Sequence, residues 1–149
     1  MSIANYKLID ILVVEDNPGD ALLIKEVLKS NKIYNSFNIV IDGAEAMDFL
    51  HRKGKFTKAP RPDLILLDLN LPKLDGRQVL AEIKSDEKLK QIPVVVMTMS
   101  QAEEDIAKAY SLHANCYVTK PIDLEQFVKV VESLENFWFS LVKLPGKVA

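Results

Sequence analysis

Several polar residues stand where apolar runs stop. Glu15 and Asp16 follow Ile9 to Val14, Asp68 follows Leu64 to Leu67, Thr98 follows Pro93 to Met97, and Lys120 follows Asn115 to Thr119. Carboxylates brought into one crevice repel one another and raise each other's pKa unless a cation joins them. Lys120 can be one such cation, and a hard divalent ion such as Mg²⁺, which takes oxygen ligands, is the natural second. The backbone carbonyl of Asn70, two residues beyond Asp68, is expected to add a neutral oxygen ligand. A carboxylate facing Mg²⁺, a lysine and a hydroxyl is suited to phosphoryl transfer. Asp68 would attack as nucleophile to form an aspartyl phosphate while Mg²⁺ and Lys120 neutralise the phosphoryl oxygens. The Thr98 hydroxyl would then bond a phosphoryl oxygen and draw the end of its strand inward, which makes a switch. Histidine and cysteine are absent at metal-ligand spacing, so zinc is not expected.

The elements that must position these groups can be read from the alternation of apolar runs with amphipathic stretches, the pattern of an α/β fold with a parallel sheet. Strands are expected at Ile9 to Val14, Phe37 to Ile41, Leu64 to Asp68, Pro93 to Met97 and Asn115 to Thr119. Asn17-Pro18 opens the first helix as cap and first-turn proline, with Ala21, Leu22, Ile24, Val27 and Leu28 as its core face. Asp42-Gly43 opens the second, Gly76 begins the third, Ser100 and Glu103 form a capping box for the fourth, and Asp123 caps a long fifth. In the common order 2-1-3-4-5, with helices on both faces, ligands bind at the carboxyl ends of the strands. That order places strands one, three, four and five side by side.

A chain of 149 residues, 48% hydrophobic, is long enough to bury its own core as one domain. Its single cysteine, Cys116, cannot make an internal disulfide, and its short apolar runs do not span a bilayer. A soluble cytoplasmic protein is expected. The net charge of −2 argues against nucleic-acid binding. Arg52, Lys53, Lys55, Lys58 and Arg61 form a basic cluster, but they read as a solvated loop on the side away from the strand tips.

The motifs V-V-E-D-N, D-L-N-L-P-K-L-D-G, M-T and Y-V-T-K-P, in this order and spacing, resemble the receiver domain of two-component response regulators, the CheY-like, flavodoxin-like (βα)5 family. The resemblance runs from Ile9 to about Leu141. It implies one receiver domain over residues 1–149, with an extended C-terminal helix and tail at about 123–145. It implies Glu15, Asp16, Asp68 and the Asn70 carbonyl as Mg²⁺ ligands and Asp68 as phosphoacceptor. Thr98 and Lys120 are the implied switch hydroxyl and lysine, Tyr117 the aromatic that reports activation, and Lys120-Pro121 the site of a cis peptide. The basic loop, L-H-A-N-C-Y-V-T-K-P and the ending F-W-F-S-L-V-K-L-P further resemble single-domain regulators of bacterial and cyanobacterial phytochromes. A sensor histidine kinase, in that subgroup a phytochrome, is the implied partner, and self-dephosphorylation is the only chemistry beyond acceptance. Met99 stands where a small residue is usual in the family.

In the last helix Phe127, Val130, Val131, Leu134, Phe137, Trp138 and Leu141 recur at helical spacing and are expected to pack on the sheet. Phe139 and Val142 fall off that stripe. A homodimer is therefore expected through the fourth strand, the last helix and the tail, with Phe137, Trp138, Phe139 and Val142 in its interface. Three other functions compete. A phosphohydrolase with a D-x-D motif would need an acid where Asn70 stands. A flavodoxin-type cofactor binder would need a phosphate loop where the acids of strand one stand. A receiver-like module that is never phosphorylated is disfavoured by the complete set of strand-end residues.

Overall fold

The structure, a computed structural model, describes residues 9–30, 35–71, 75–109, 114–131 and 133. In chain order the elements are β1 (Ile9–Val14), α1 (Pro18–Lys29), β2 (Asn35–Val40), α2 (Gly43–His51), a 3-10 turn (Gly54–Phe56), β3 (Leu64–Asp68), α3 (Gly76–Ser85), β4 (Val94–Thr98), α4 (Gln101–Ala109) and β5 (Cys116–Thr119). A fifth helix, α5, covers 124–131. The strands form one parallel sheet in the order β2-β1-β3-β4-β5, the expected doubly wound arrangement. β3 and β4 are buried along their whole length, as unbroken Leu, Ile and Val runs require when helices cover both faces of a sheet.

The two-residue alternation of the strands sorts the core into two layers. Leu12, Val14, Ile65, Leu67, Val94 and Val96 pack with α2 and α3, whereas Ile11, Val13, Leu64, Leu66, Val95 and Met97 pack with α1 and α5. The same alternation carries Glu15, Asp68 and Lys120 to the α1 and α5 side, in line with Val13, Leu66 and Val118. Thr98 and Tyr117 are in line with the other layer, and Tyr117 packs against it.

The helices begin where the capping residues stand. Asn17 Oδ1 accepts from the Asp20 N–H at 2.9 Å, Asp42 Oδ1 from the Glu45 N–H at 2.7 Å, and Asp123 Oδ1 from the Gln126 N–H at 2.8 Å. At α4 the Glu103 N–H donates to Ser100 Oγ at 3.2 Å, but the reciprocal bond differs from the expected box. Glu103 Oε1 accepts from the Met99 N–H, at 2.9 Å, one residue earlier than the cap.

Three expectations are corrected, and one lies outside the described residues. β2 starts at Asn35, where it pairs with Ile9, and ends at Val40, so Ile41 lies beyond the strand and is exposed. Leu22, expected in the core face of α1, is 55% exposed. Two residues advance a helix by about 200°, so Leu22 lies opposite the buried stripe of Ile24 and Leu28. β4 cannot join a dimer through its edge, because it is an interior strand hydrogen-bonded to β3 and β5. The expected C-terminal helix is described only as far as residues 131 and 133. Phe137, Trp138, Phe139 and Val142 lie outside the described residues.

The basic segment between α2 and β3 is engaged locally. Arg52 Nε donates to the Ala59 carbonyl at 2.9 Å, Lys55 pairs with Glu45 at 3.2 Å and sits over the Phe56 ring, and Arg61 donates to the Lys88 carbonyl. Lys84 pins α3 to the start of β4 and β5. Its Nζ donates to the Ile92 carbonyl at 3.0 Å and to Asn115 Oδ1 at 3.1 Å, and burial holds its ammonium below the ordinary lysine range. Among the described residues no helix is long and apolar enough to cross a membrane.

Candidate functional site

Each strand hands its last polar residue to the site through the ladder of its neighbour. The Glu15 N–H donates to the Val40 carbonyl at 3.0 Å, the Leu69 N–H to Met97 at 3.2 Å, and the Lys120 N–H to Thr98 at 2.8 Å. The backbone around the three key side chains is therefore held by sheet hydrogen bonds on both sides of β3. A further constraint comes from α3. The Gly76 N–H donates to the Leu69 carbonyl at 3.1 Å, and a Cβ at Gly76 would lie 2.6 Å from Leu69 Cα and against the Asp68 carbonyl oxygen. Helix α3 thus starts in direct backbone contact with the end of the Asp68 strand.

Lys120 is the hub. Its Nζ lies 2.6 Å from Glu15 Oε1, 3.1 Å from Asp68 Oδ2 and 3.1 Å from Asp20 Oδ2, and its side chain is only 10% exposed. The remaining oxygens are also placed: Glu15 Oε2 accepts from the Asn17 N–H at 3.1 Å, and Asp68 Oδ1 from the Asn70 N–H at 3.0 Å. The latter bond sets the Asn70 peptide beside the Asp68 carboxylate. Burial pushes the Glu15 carboxyl up to about 7, against the opposing pull of its Lys120 and Asn17 contacts. Lys120 is raised above the lysine range because its carboxylate bonds together outweigh the cost of its burial.

Carboxylate oxygens of Glu15, Asp16 and Asp68 come within 4.8 Å of one another, with Glu15 and Asp68 buried and Asp16 exposed. Hard oxygen donors converging from two strand ends, one of them open to solvent, fit a hexacoordinate divalent ion that keeps some of its water, such as Mg²⁺ or Mn²⁺. The cis Lys120-Pro121 peptide follows directly on β5.

Thr98 is fully buried and is turned to backbone acceptors. Its single hydroxyl proton is shared between the Val118 and Ser100 carbonyls, each at 3.3 Å. Both distances are long for an O–H···O bond. Tyr117 is half-buried on the same side of the sheet.

Two participants were not assigned to the site from sequence. Asp20, in the first turn of α1, completes the shell of carboxylates around Lys120, and the available signal was its place one helical turn beyond Asp16. Glu103 bridges two loops at the rim. Its Oε2 accepts from the Asn70 side-chain amide at 2.8 Å while Oε1 holds the Met99 N–H. The capping signal located Glu103, but nothing local placed it against Asn70.

Comparison with known proteins agrees with this geometry. Residues 11–132 match the response regulator receiver domain. The chain is 52% identical over 136 residues to response regulator Rcp1 of Synechocystis sp., covering 91% of this chain and 92% of that protein. It is also similar to the solved structure of the phosphorylated cyanobacterial phytochrome response regulator RcpA, with 51% identity, a TM-score of 0.74, and 91% and 96% of the two chains covered. The Mn²⁺-bound form of Rcp1 gives 51% identity and a TM-score of 0.72, covering 92% and 99%. With its sheet order, its cluster of carboxylates and lysine, and a match over most of its length, the chain belongs to the response regulator receiver domain family.

Proposed function

We propose that this response regulator accepts a phosphoryl group on Asp68 from a sensor histidine kinase and later loses it to water. The observation that carries the proposal is the Asp68 carboxylate itself. Its side chain is only 4% exposed, fixed by the Asn70 N–H on one oxygen and faced by Lys120 on the other. In the forward step an Asp68 oxygen attacks phosphorus, the bond from phosphorus to the donor's imidazole nitrogen breaks, and the imidazole leaves with that electron pair. In the return step water attacks the same phosphorus, a P–O bond forms, and the bond from phosphorus to the Asp68 oxygen breaks with its electron pair returning to the carboxylate, while inorganic phosphate departs and the water's protons pass to it and to solvent. Lys120 would donate to a phosphoryl oxygen throughout, offsetting charge that Asp68, Glu15 and the phosphoryl group would otherwise pile up.

Glu15, Asp16, Asp68 and the Asn70 carbonyl would hold the divalent ion, with Mg²⁺ the form proposed here. When bound, that ion supplies positive charge to the phosphoryl oxygens. The Thr98 hydroxyl would exchange its two long carbonyl bonds for one charge-assisted bond to the phosphoryl group, which is shorter and stronger. Because those carbonyls belong to Val118 and Ser100, the exchange releases both β5 and the β4–α4 loop, and Tyr117 lies on the side where that release is felt.

The kinase would meet the rim at the carboxyl ends of the strands. Leu22, Leu23, Ile41 and Met99 are the large apolar side chains most exposed among the described residues, at 49–65%. They flank the openings after β1, β2 and β4, an apolar surface around a charged centre. A phytochrome kinase is the proposed partner on the strength of the similarity to RcpA. A homodimer is proposed through α5 and the β5 edge, the exposed edge nearest the released elements. Light scattering with and without a phosphodonor should give twice the chain mass in at least one state, and a monomer in both would exclude it.

Incubation with a small acyl phosphate and Mg²⁺ should raise the mass of the chain by one phosphoryl group. Asp68→Asn, which keeps the shape but not the nucleophile, should take up none. An unlabelled parent, or a labelled Asp68→Asn, would overturn the assignment.

A further inference from the structure

We propose that Asp20 is a positioning residue that occupies, in the resting protein, the Lys120 donor which the phosphoryl group must later take. The inference rests on Asp68 being the phosphoacceptor and goes beyond it. An ammonium group has three N–H donors and no more. Lys120 donates to Asp68 Oδ2 and Asp20 Oδ2 and is ion-paired with Glu15 Oε1 at 2.6 Å, so three carboxylates crowd its ammonium. A phosphoryl oxygen on Asp68 gains a full bond from Lys120 when one of these partners gives way.

Their surroundings decide which one yields. The Glu15 side chain is fully buried, its second oxygen is tied to the Asn17 N–H, and release would strand a carboxylate without water. Asp68 is the group being modified. Asp20 is 34% exposed, so water can solvate it as soon as Lys120 turns away. It sits in the first turn of α1, whose N-terminal N–H groups favour a carboxylate in either state. No proton moves in this exchange. Lys120 stays an ammonium, and one N–H passes from Asp20 Oδ2 to a phosphoryl oxygen.

Asp20 is also the member of the trio closest to the proposed partner surface. It borders a small concavity between α1 and the Lys120-Pro121 loop, together with Leu23, Met97 and Ile122. A protein docking on Leu22 and Leu23 would therefore approach the residue that restrains Lys120.

A competing view is that Asp20 serves only the helix dipole of α1. The two differ in what removal does. If Asp20 competes for Lys120, Asp20→Ala should bind the phosphoryl mimic beryllofluoride, at saturating Mg²⁺, roughly fivefold more tightly than the parent, the upper scale of one solvent-accessible ion pair. Labelling by a small acyl phosphate should accelerate by a similar factor. Asp20→Asn, which keeps an acceptor but loses the charge, should fall between the two and preserve the fold should the alanine variant be unstable. Glu26→Gln, the same charge change on an exposed position of α1, should leave both values at the parent level. Unchanged or weakened beryllofluoride binding in both Asp20 variants would overturn the proposal, as would an equal gain from Glu26→Gln. A parent that takes up no phosphoryl group would instead overturn the Asp68 assignment on which it rests.

Discussion

Gly76→Ala should lower the thermal midpoint by roughly 6–12 °C and, in the protein that remains folded, cut the rate of phosphoryl acceptance by at least about tenfold. The added methyl would meet the backbone of Leu69 at 2.6 and 2.7 Å and press on the Asp68 carbonyl. All three atoms belong to the main chain of the β3 end, so no side chain can rotate aside. Overpacking of this kind costs about 3 kcal/mol, and α3 can relieve it only by moving away from β3. That movement would break the bond from the Gly76 N–H to Leu69 and shift the peptide that fixes the Asp68 carboxylate. Differential scanning calorimetry and labelling kinetics would measure the two effects. A variant that kept the parent's midpoint would show that the loop between β3 and α3 relaxes without strain.

The second large effect concerns Lys120→Met in metal-free protein. Lys120 sits above its ordinary 10.5 in the folded chain, so its favourable contribution is fully present below that pH and disappears only in strong alkali. Glu15 behaves in the opposite sense to a typical ion-paired acid. Its folded pKa of about 7 exceeds the ordinary 4.5, so the folded state holds the extra proton, and stability falls as pH rises between these values. Without Lys120 the upward pull of burial is opposed only by the Asn17 N–H, and that decline should be steeper and continue past pH 7. Loss of the buried partner should therefore cost about 3 kcal/mol at pH 8 but only about 1 kcal/mol at pH 5, where Glu15 is protonated. Urea unfolding in chelator at the two pH values would measure the difference. Added Mg²⁺ should recover part of the loss at pH 8, because a cation held by Glu15, Asp16 and Asp68 replaces the missing charge. An equal cost at both pH values would mean that Lys120 acts by packing alone.

The framework was legible because it depends on local pattern. Leu64 to Leu67 followed by Asp68 could hardly be anything but an interior strand ending on a charge, and β4 repeats the form with Thr98. Once the strand order is known, the meeting of Glu15, Asp68 and Lys120 follows from where their strands end. Asp20 and the bridge from Glu103 to Asn70 were not legible, since each joins side chains from different loops, and no periodicity encodes the angle at which a helix leaves the sheet. Leu22 and Ile41 were misplaced for a simpler reason. Both are apolar residues beside a true core stripe or strand, and hydrophobicity alone does not distinguish a core position from a rim position. The assignment of the dimer surface to β4 failed because an apolar strand reads the same whether it lies at the edge or in the middle of a sheet.

The division of the sheet into two layers has a consequence for how a signal could leave the molecule. Glu15, Asp68 and Lys120 project with the α1 and α5 layer, while Thr98 and Tyr117 belong with the layer beneath α2 and α3. The sheet thus acts as a partition, and the Thr98 hydroxyl is a port through which an event on one side can be felt on the other. A donor held against α1 by Leu22 and Leu23 would leave the side bearing Tyr117 open to a second protein. Writing and reading the mark would then meet only at the β4–α4 loop, where Met99 stands.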